Sequence, residues 1–240
     1  PIGDHQRRRL GTFDCEFLPV THSTPSSLLT IFRTTQGVIV HSGDFKIDPA
    51  PVDGRITDVD RVAAVAREEG VRLLLADSTN ADSPGATRSE THIGQILRKV
   101  FAANRGRRMI VASFASHVHR LQQVADAAVD EGRKIVILGT SMVRNTRLAR
   151  DIGLMTIPSD SIVPPEELEK LDPAEVCVIC TGSQGESRAV LWQLVSGENR
   201  YMSISRDDTV VLSAHPIPGN ESSVARLRNR LTQLGAHVVH

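Results

Sequence analysis

Aromatic residues are scarce: they make up 3% of the 240 residues, with a single Trp and a single Tyr. Any core must therefore be filled by Val, Leu, Ile and Ala, which the 40% hydrophobic content can supply. Net charge is also lacking, since 28 Lys plus Arg match 28 Asp plus Glu. Bulk charge thus advertises neither a nucleic acid nor a membrane, although a local basic groove is compatible with a balanced total. Only three cysteines occur, Cys15, Cys177 and Cys180. An odd count without framework spacing excludes a disulfide scaffold and indicates a reducing, cytoplasmic compartment. Cys177 and Cys180 sit in the apolar run "EVCVICTG", where strand residues three apart point to opposite faces. They read as buried strand residues rather than a redox or zinc pair. No apolar run approaches the roughly 20 residues of a membrane span, and no segment reads as a signal peptide.

What is present is alternation. Residues 15–21 and 28–33 read as strands. After the turn "TTQG", residues 37–41 return as the second arm of a hairpin. Residues 58–69 have an apolar helical face of Val59, Val62, Ala63 and Ala66, with Gly70 at the C-terminal cap. "RLLLA", 72–76, reads as a fully apolar strand. From residue 88 onward, amphipathic helices alternate with short apolar strands: "ETHIGQILRKVFAANRG", "RMIVASF", "SHVHRLQQVADAAVDEG", "KIVILG", "SMVRNTRLARDIG", "EVCVICTG", "GESRAVLWQLVSG", "TVVLSAH", "NESSVARLRNRLTQLG" and "AHVVH". Such alternation specifies parallel βαβ units, so the fold class is α/β. Residues 88–240 are expected to form a mostly parallel, doubly wound sheet. Residues 1–87, with their hairpin, are expected to be a separate architecture.

In an open parallel sheet the loops at the C-terminal ends of the strands share one edge, where ligands bind. Here those loops carry Asp77, Ser78, Thr79 and Asn80; Ser113, His117, His119 and Arg120; Ser141, Arg144 and Asn145; Ser183 and Gln184; and Asn220 and Glu221. Each alone reads better as a helix cap. Together they suggest a cleft that tracks phosphates through helix N-termini. Neither a P-loop nor a dinucleotide fingerprint is present. His117 reads as a surface histidine at a helix start, and His119 with Arg120 as a phosphate or base contact. "RRR", 7–9, reads as a solvated basic patch, and His5, His92 and His237 have no supporting context. The strand "GVIV" stops at "HSGDFKID", which is either an ordinary polar turn or a way to hold Asp44 rigidly for a metal.

Read in order, "PVTHSTP", "HSGDFKID", "PVDGR", "ADSTNA", "FASHVHR", "TSMVRN", "CTGSQGE" and "PIPGNE" resemble ribonuclease J, a nuclease family in the β-CASP branch of the metallo-β-lactamase superfamily, in its actinobacterial form. The resemblance implies a partial metallo-β-lactamase αββα domain over 1–87 and a β-CASP domain over 88–240. It implies two divalent metal ions, zinc or manganese, with His22 and Asp44 as ligands and Asp44 bridging both. Two such ions activate water and neutralise charge in phosphoryl transfer. Asp77 would stand near them and orient a histidine ligand. Ser113, His119, Arg120, Ser141, Arg144, Asn145, Ser183, Gln184, Asn220 and Glu221 would line an RNA channel. The substrate would be single-stranded RNA with a 5′-monophosphate end, cut from that end or internally by a cytoplasmic homo-oligomer.

The sequence departs from the family where it matters most. H-x-H-x-D-H does not occur, nor do the histidines of "SGHA" and "HGE", so only two of the expected ligands are present. "THSTPSS" replaces "HSIPD", and His215 stands where a serine is usual. The expectation is an internal fragment of a larger enzyme, inactive alone, with unpaired sheet edges and poor stability. Two other readings stay open: a non-catalytic RNA-binding or scaffolding paralogue, and an unrelated nucleotide-binding module.

Overall fold

The computed structural model describes residues 2–240 and divides into two compact units, 1–93 and 94–240. The division falls inside a helix, whereas the sequence pattern suggested the loop before it.

The first unit is a five-stranded sheet in the order β1 (Gln6–Leu10), β2 (Phe13–Pro19), β3 (Leu28–Thr34), β4 (Gly37–His41), β5 (Val71–Leu75). The first four strands pair antiparallel through short connections. β5 is parallel to β4 and so needs a crossover, which α1 (Val59–Glu68) supplies. Alternation places Leu18, Val20, Leu29, Ile31, Val38 and Val40 on one face, where they form a core with Val65 of α1. Asp58 caps α1 by accepting from the Arg61 N–H. The apolar run of β5 predicts a buried strand, but Leu73, Leu74 and Leu75 are exposed, Leu74 at 59%. β5 is an edge strand with one neighbour, so its leucines lack cover on the open side. Arg7, Arg8 and Arg9 lie exposed on β1, with Arg7 paired to Asp14.

The second unit holds a parallel sheet in the order β10 (His237–Val239), β9 (Asp208–Leu212), β6 (Arg108–Ala112), β8 (Val176–Cys180), β7 (Lys134–Leu138). Helices α2 (Glu90–Ala103), α3 (Val118–Asp130), α4 (Thr140–Asp151), α5 (Val190–Ser196) and α6 (Glu221–Gln233) alternate with the strands. The central strand β6 is buried on both faces, since Met109, Ile110, Val111 and Ala112 are all fully buried. The doubly wound α/β expectation holds. Cys177 and Cys180 are buried free thiols pushed up to about 12 by desolvation, which suits packing and not redox chemistry. α5 begins at Val190 rather than near Gly185. The preceding stretch turns instead, with Gly182 at φ 114° and Gly185 at φ 74°. A Cβ on Gly185 would lie 2.5 Å from the Ser223 carbonyl oxygen, so only glycine fits.

One buried carboxylate organises the first unit. Glu16 accepts from Arg61 (2.7 Å) and Arg33 (2.7 Å), and Arg33 also binds Glu69. These hydrogen bonds, Arg61 first, hold the Glu16 carboxyl below the usual carboxylate range. With a folded pKa below the unfolded value of about 4.3, its stabilisation is complete above that pH and is lost as pH falls below it. Denaturant unfolding is expected to show stability declining below about pH 4.3, with a shallower acid decline in Glu16→Gln. Glu16→Ala should lower the unfolding free energy by roughly 1.5–3 kcal/mol at neutral pH, because Arg61 and Arg33 each lose a charge-assisted hydrogen bond while Arg33 keeps Glu69.

Candidate functional site

The strand ends of β4 and β5 open onto a depression of about 420 Å³, lined by His41, Ser42, Gly43 and Asp44 on one side and residues 74–77 on the other. A backbone clasp brings His22 to its rim. Thr21 and Lys46 form an isolated antiparallel bridge, in which the Lys46 N–H donates to the Thr21 carbonyl (2.8 Å). The buried Thr57 hydroxyl closes the clasp. It accepts from the Thr21 N–H (2.9 Å) and donates to the Lys46 carbonyl (2.6 Å). His22 Nε2 then lies 3.7 Å from Asp44 Oδ2, with the Asp44 side chain 76% exposed.

Asp77 sits on the β5 side of the depression. Its N–H donates to Ser42 Oγ (3.0 Å), and its Oδ1 accepts from the Thr79 hydroxyl (2.5 Å) and N–H (2.9 Å). The Thr79 hydroxyl, then the Thr79 N–H, hold the Asp77 carboxyl below its ordinary range, and nearby His22 acts in the same direction. An imidazole beside an accessible carboxylate is a donor pair of the kind zinc takes. Among the described residues no cluster of three His, Cys, Asp or Glu is placed to hold a metal ion. His22 and Asp44 are thus a partial set, where a hydrolytic zinc holds three protein ligands.

Three residues of this region had no role in the sequence reading. His41 lines the depression, and its Nδ1 accepts from the Gly43 N–H (3.2 Å). Ser42 ties β4 to Asp77. Thr57 makes the clasp. His41 and Ser42 immediately precede the "GD" that drew attention to Asp44. Thr57, thirteen residues downstream of Asp44, carries no local signal.

In the second unit the polar loops do gather at the C-terminal edge of the sheet, but several of their side chains are used internally. Arg120, expected to touch RNA, is buried; its Nη1 donates to the Ser213 carbonyl (3.1 Å) and hydroxyl (2.8 Å). His117, read as a surface residue, is buried at the N-cap of α3, and His119 is half-buried in the first turn. Ser113 and Ser183 are buried. Gln184 is only 2% exposed and spends its amide on the β9–α6 loop. Its Nε2 donates to the His215 carbonyl (2.9 Å), and its Oε1 accepts from the Ile217 N–H (2.8 Å) and Asn220 Nδ2 (3.4 Å). Asn145 donates to the Ala115 carbonyl (3.0 Å). Ser141, Arg144 and Glu221 are exposed. The loops therefore form a cross-braced edge, with α3, α4 and α6 starting there without side-chain caps.

A family profile described as ribonuclease J, β-CASP domain, matches residues 106–231, just over half of the chain. The chain belongs to the ribonuclease J family. It is 41% identical over 238 residues to ribonuclease J of Mycobacterium tuberculosis, a match covering 99% of this chain and 42% of that protein. It is 44% identical over 224 residues to ribonuclease J 1 of Streptococcus pyogenes (93% and 40%) and 43% identical over 228 residues to ribonuclease J of Thermus thermophilus (95% and 39%). The chain thus spans about two fifths of the length of these curated relatives. A crystal structure of an Enterococcus faecalis protein of unknown function shares the fold, with a TM-score of 0.67 at 13% identity, over 99% of this chain and 54% of that one.

The clasp makes a direct prediction. Thr57→Val removes the hydroxyl at nearly constant shape and leaves the buried Thr21 N–H and the half-buried Lys46 C=O without this partner, at a cost of about 1–3 kcal/mol. Urea unfolding should show that loss, and Thr57→Ser should recover most of it.

Proposed function

We propose that this chain is part of an RNA-hydrolysing ribonuclease whose metal centre includes His22 and Asp44. The carrying observation is the 3.7 Å approach of His22 to Asp44 beside Asp77, in a chain of the ribonuclease J family. In this reading further ligands, from outside these 240 residues, complete a site for two divalent ions, zinc or manganese. When bound, the ions supply an activated water and neutralise phosphoryl charge. Asp44, exposed just past the end of β4 and two residues from the Lys46 carbonyl that the Thr57 clasp holds, presents its carboxylate to the depression. Asp77 is fixed as an anion by Thr79 and adds negative charge beside the cations. The substrate is single-stranded RNA, taken from a 5′-monophosphate end or cut internally. Ser141, Arg144 and Glu221 are the exposed members of the loop edge that would meet it. The enzyme works as a homo-oligomer in the cytoplasm.

A second reading, a non-catalytic RNA-binding paralogue, is favoured by one observation: no three metal donors converge among the described residues. The two readings separate on one experiment, with the protein produced together with the flanking sequence its gene encodes. His22→Ala and Asp44→Ala are each expected to lower hydrolysis of 5′-monophosphorylated RNA by more than the roughly 10–100-fold that follows loss of a ligand's supporting partner. Bound metal should fall as well, with the circular dichroism spectrum unchanged. Turnover at the wild-type rate by Asp44→Ala would overturn the catalytic reading.

A further inference from the structure

The only tryptophan in the sequence stands far along the chain from His22 and Asp44, on α5. Trp192 is half-buried and packs against the core of the second unit. It also lines a groove of about 430 Å³ between α5 and α6, with Val195, Arg226, Asn229, Arg230 and Gln233. Arg226 and Arg230 are four apart on α6, hence on one face. Both are exposed, and among the described residues their side chains hydrogen-bond only neutral groups, Ser223 Oγ (3.2 Å) and Gln233 Oε1 (3.3 Å). No acidic side chain lines the groove. In a chain with no net charge, an aromatic face beside two guanidiniums free of carboxylates is a local concentration of one chemistry.

We propose that this groove is a binding site for single-stranded RNA, separate from the loop edge. A base lies against the Trp192 indole, and Arg226 and Arg230 take the phosphates on either side. Stacking on an aromatic ring accepts any base, and guanidiniums track the backbone, so the site holds RNA without reading its sequence. An apolar protein partner fits less well, because four of the six residues named are polar or charged. The inference rests on RNA being the substrate, and it adds a second point of hold on the strand.

The test is 19F NMR of the protein carrying 5-fluorotryptophan, with the Trp192 resonance assigned through Trp192→Phe. The probe is a short single-stranded oligoribonucleotide, added in EDTA so that no turnover occurs, with retention on filters measured in parallel. The Trp192 resonance is expected to shift saturably, and the double variant Arg226→Ala, Arg230→Ala should abolish the shift. The same variant should reduce the slope of log K against log salt by about 1.4, the value for two single-strand phosphate contacts. RNA retention with an unmoved Trp192 resonance and an unchanged salt slope would overturn this site and leave the ribonuclease reading standing. Absence of RNA binding in EDTA would overturn this site, while the ribonuclease reading is decided by the hydrolysis assay with metal present. A shift produced by an acidic peptide but not by RNA would assign the groove to a protein partner and overturn the proposal.

Discussion

A parallel sheet buried on both faces must put its polar connections at its edges. The apolar strands β6, β8 and β9 leave no room for backbone turns inside the core, and each connection needs a helix to return. Every strand-to-helix loop of the second unit is therefore delivered to the same edge. The cross-bracing of those loops follows from this constraint. Arg120 reaches across to Ser213 and Gln184 to His215 and Ile217, because loops ending side by side must satisfy one another's backbone groups.

The first unit solves a different problem. Its sheet is antiparallel and ends on a parallel edge strand, and its candidate metal donors sit on irregular backbone. Irregular backbone holds a side chain in place only if its own donors and acceptors are paired. The Thr57 hydroxyl does this for two segments at once, and the Thr21–Lys46 bridge converts a separation in sequence into a 3.7 Å approach of His22 and Asp44. Asp77 is fixed in the same manner, by a turn it makes with Thr79. The geometry is one of fixed charge at an open depression, which suits cation binding better than enclosure of an apolar ligand.

Family membership and geometry bear on function at different levels. The β-CASP match, 106–231, falls within the second unit, while the candidate metal donors lie in the first. The loop edge and the Trp192 groove both lie in the second unit, at helix N-termini and on helix flanks respectively. An enzyme acting on a long polymer gains from holding it at more than one place, because binding energy remote from the chemistry still positions the reacting bond.

The sequence by itself determined the class of fold, because hydrophobic period separates buried parallel strands from amphipathic helices locally. Val118, Leu121, Val124 and Ala128 declare one face of α3 without any tertiary information, and all four are buried. It also pointed to His22, Asp44 and Asp77, through the order of short motifs. What it did not contain was which polar groups turn inward. Arg120, His117 and Gln184 look like surface chemistry in a one-dimensional reading, and burial depends on neighbours distant in the chain. The edge position of β5 was equally hidden, since three leucines in a row have the same composition in a central strand and in one with a single neighbour. Thr57 and the α5–α6 groove complete the case. Each joins segments that only folding brings together, and pairing between such segments leaves no local pattern to read.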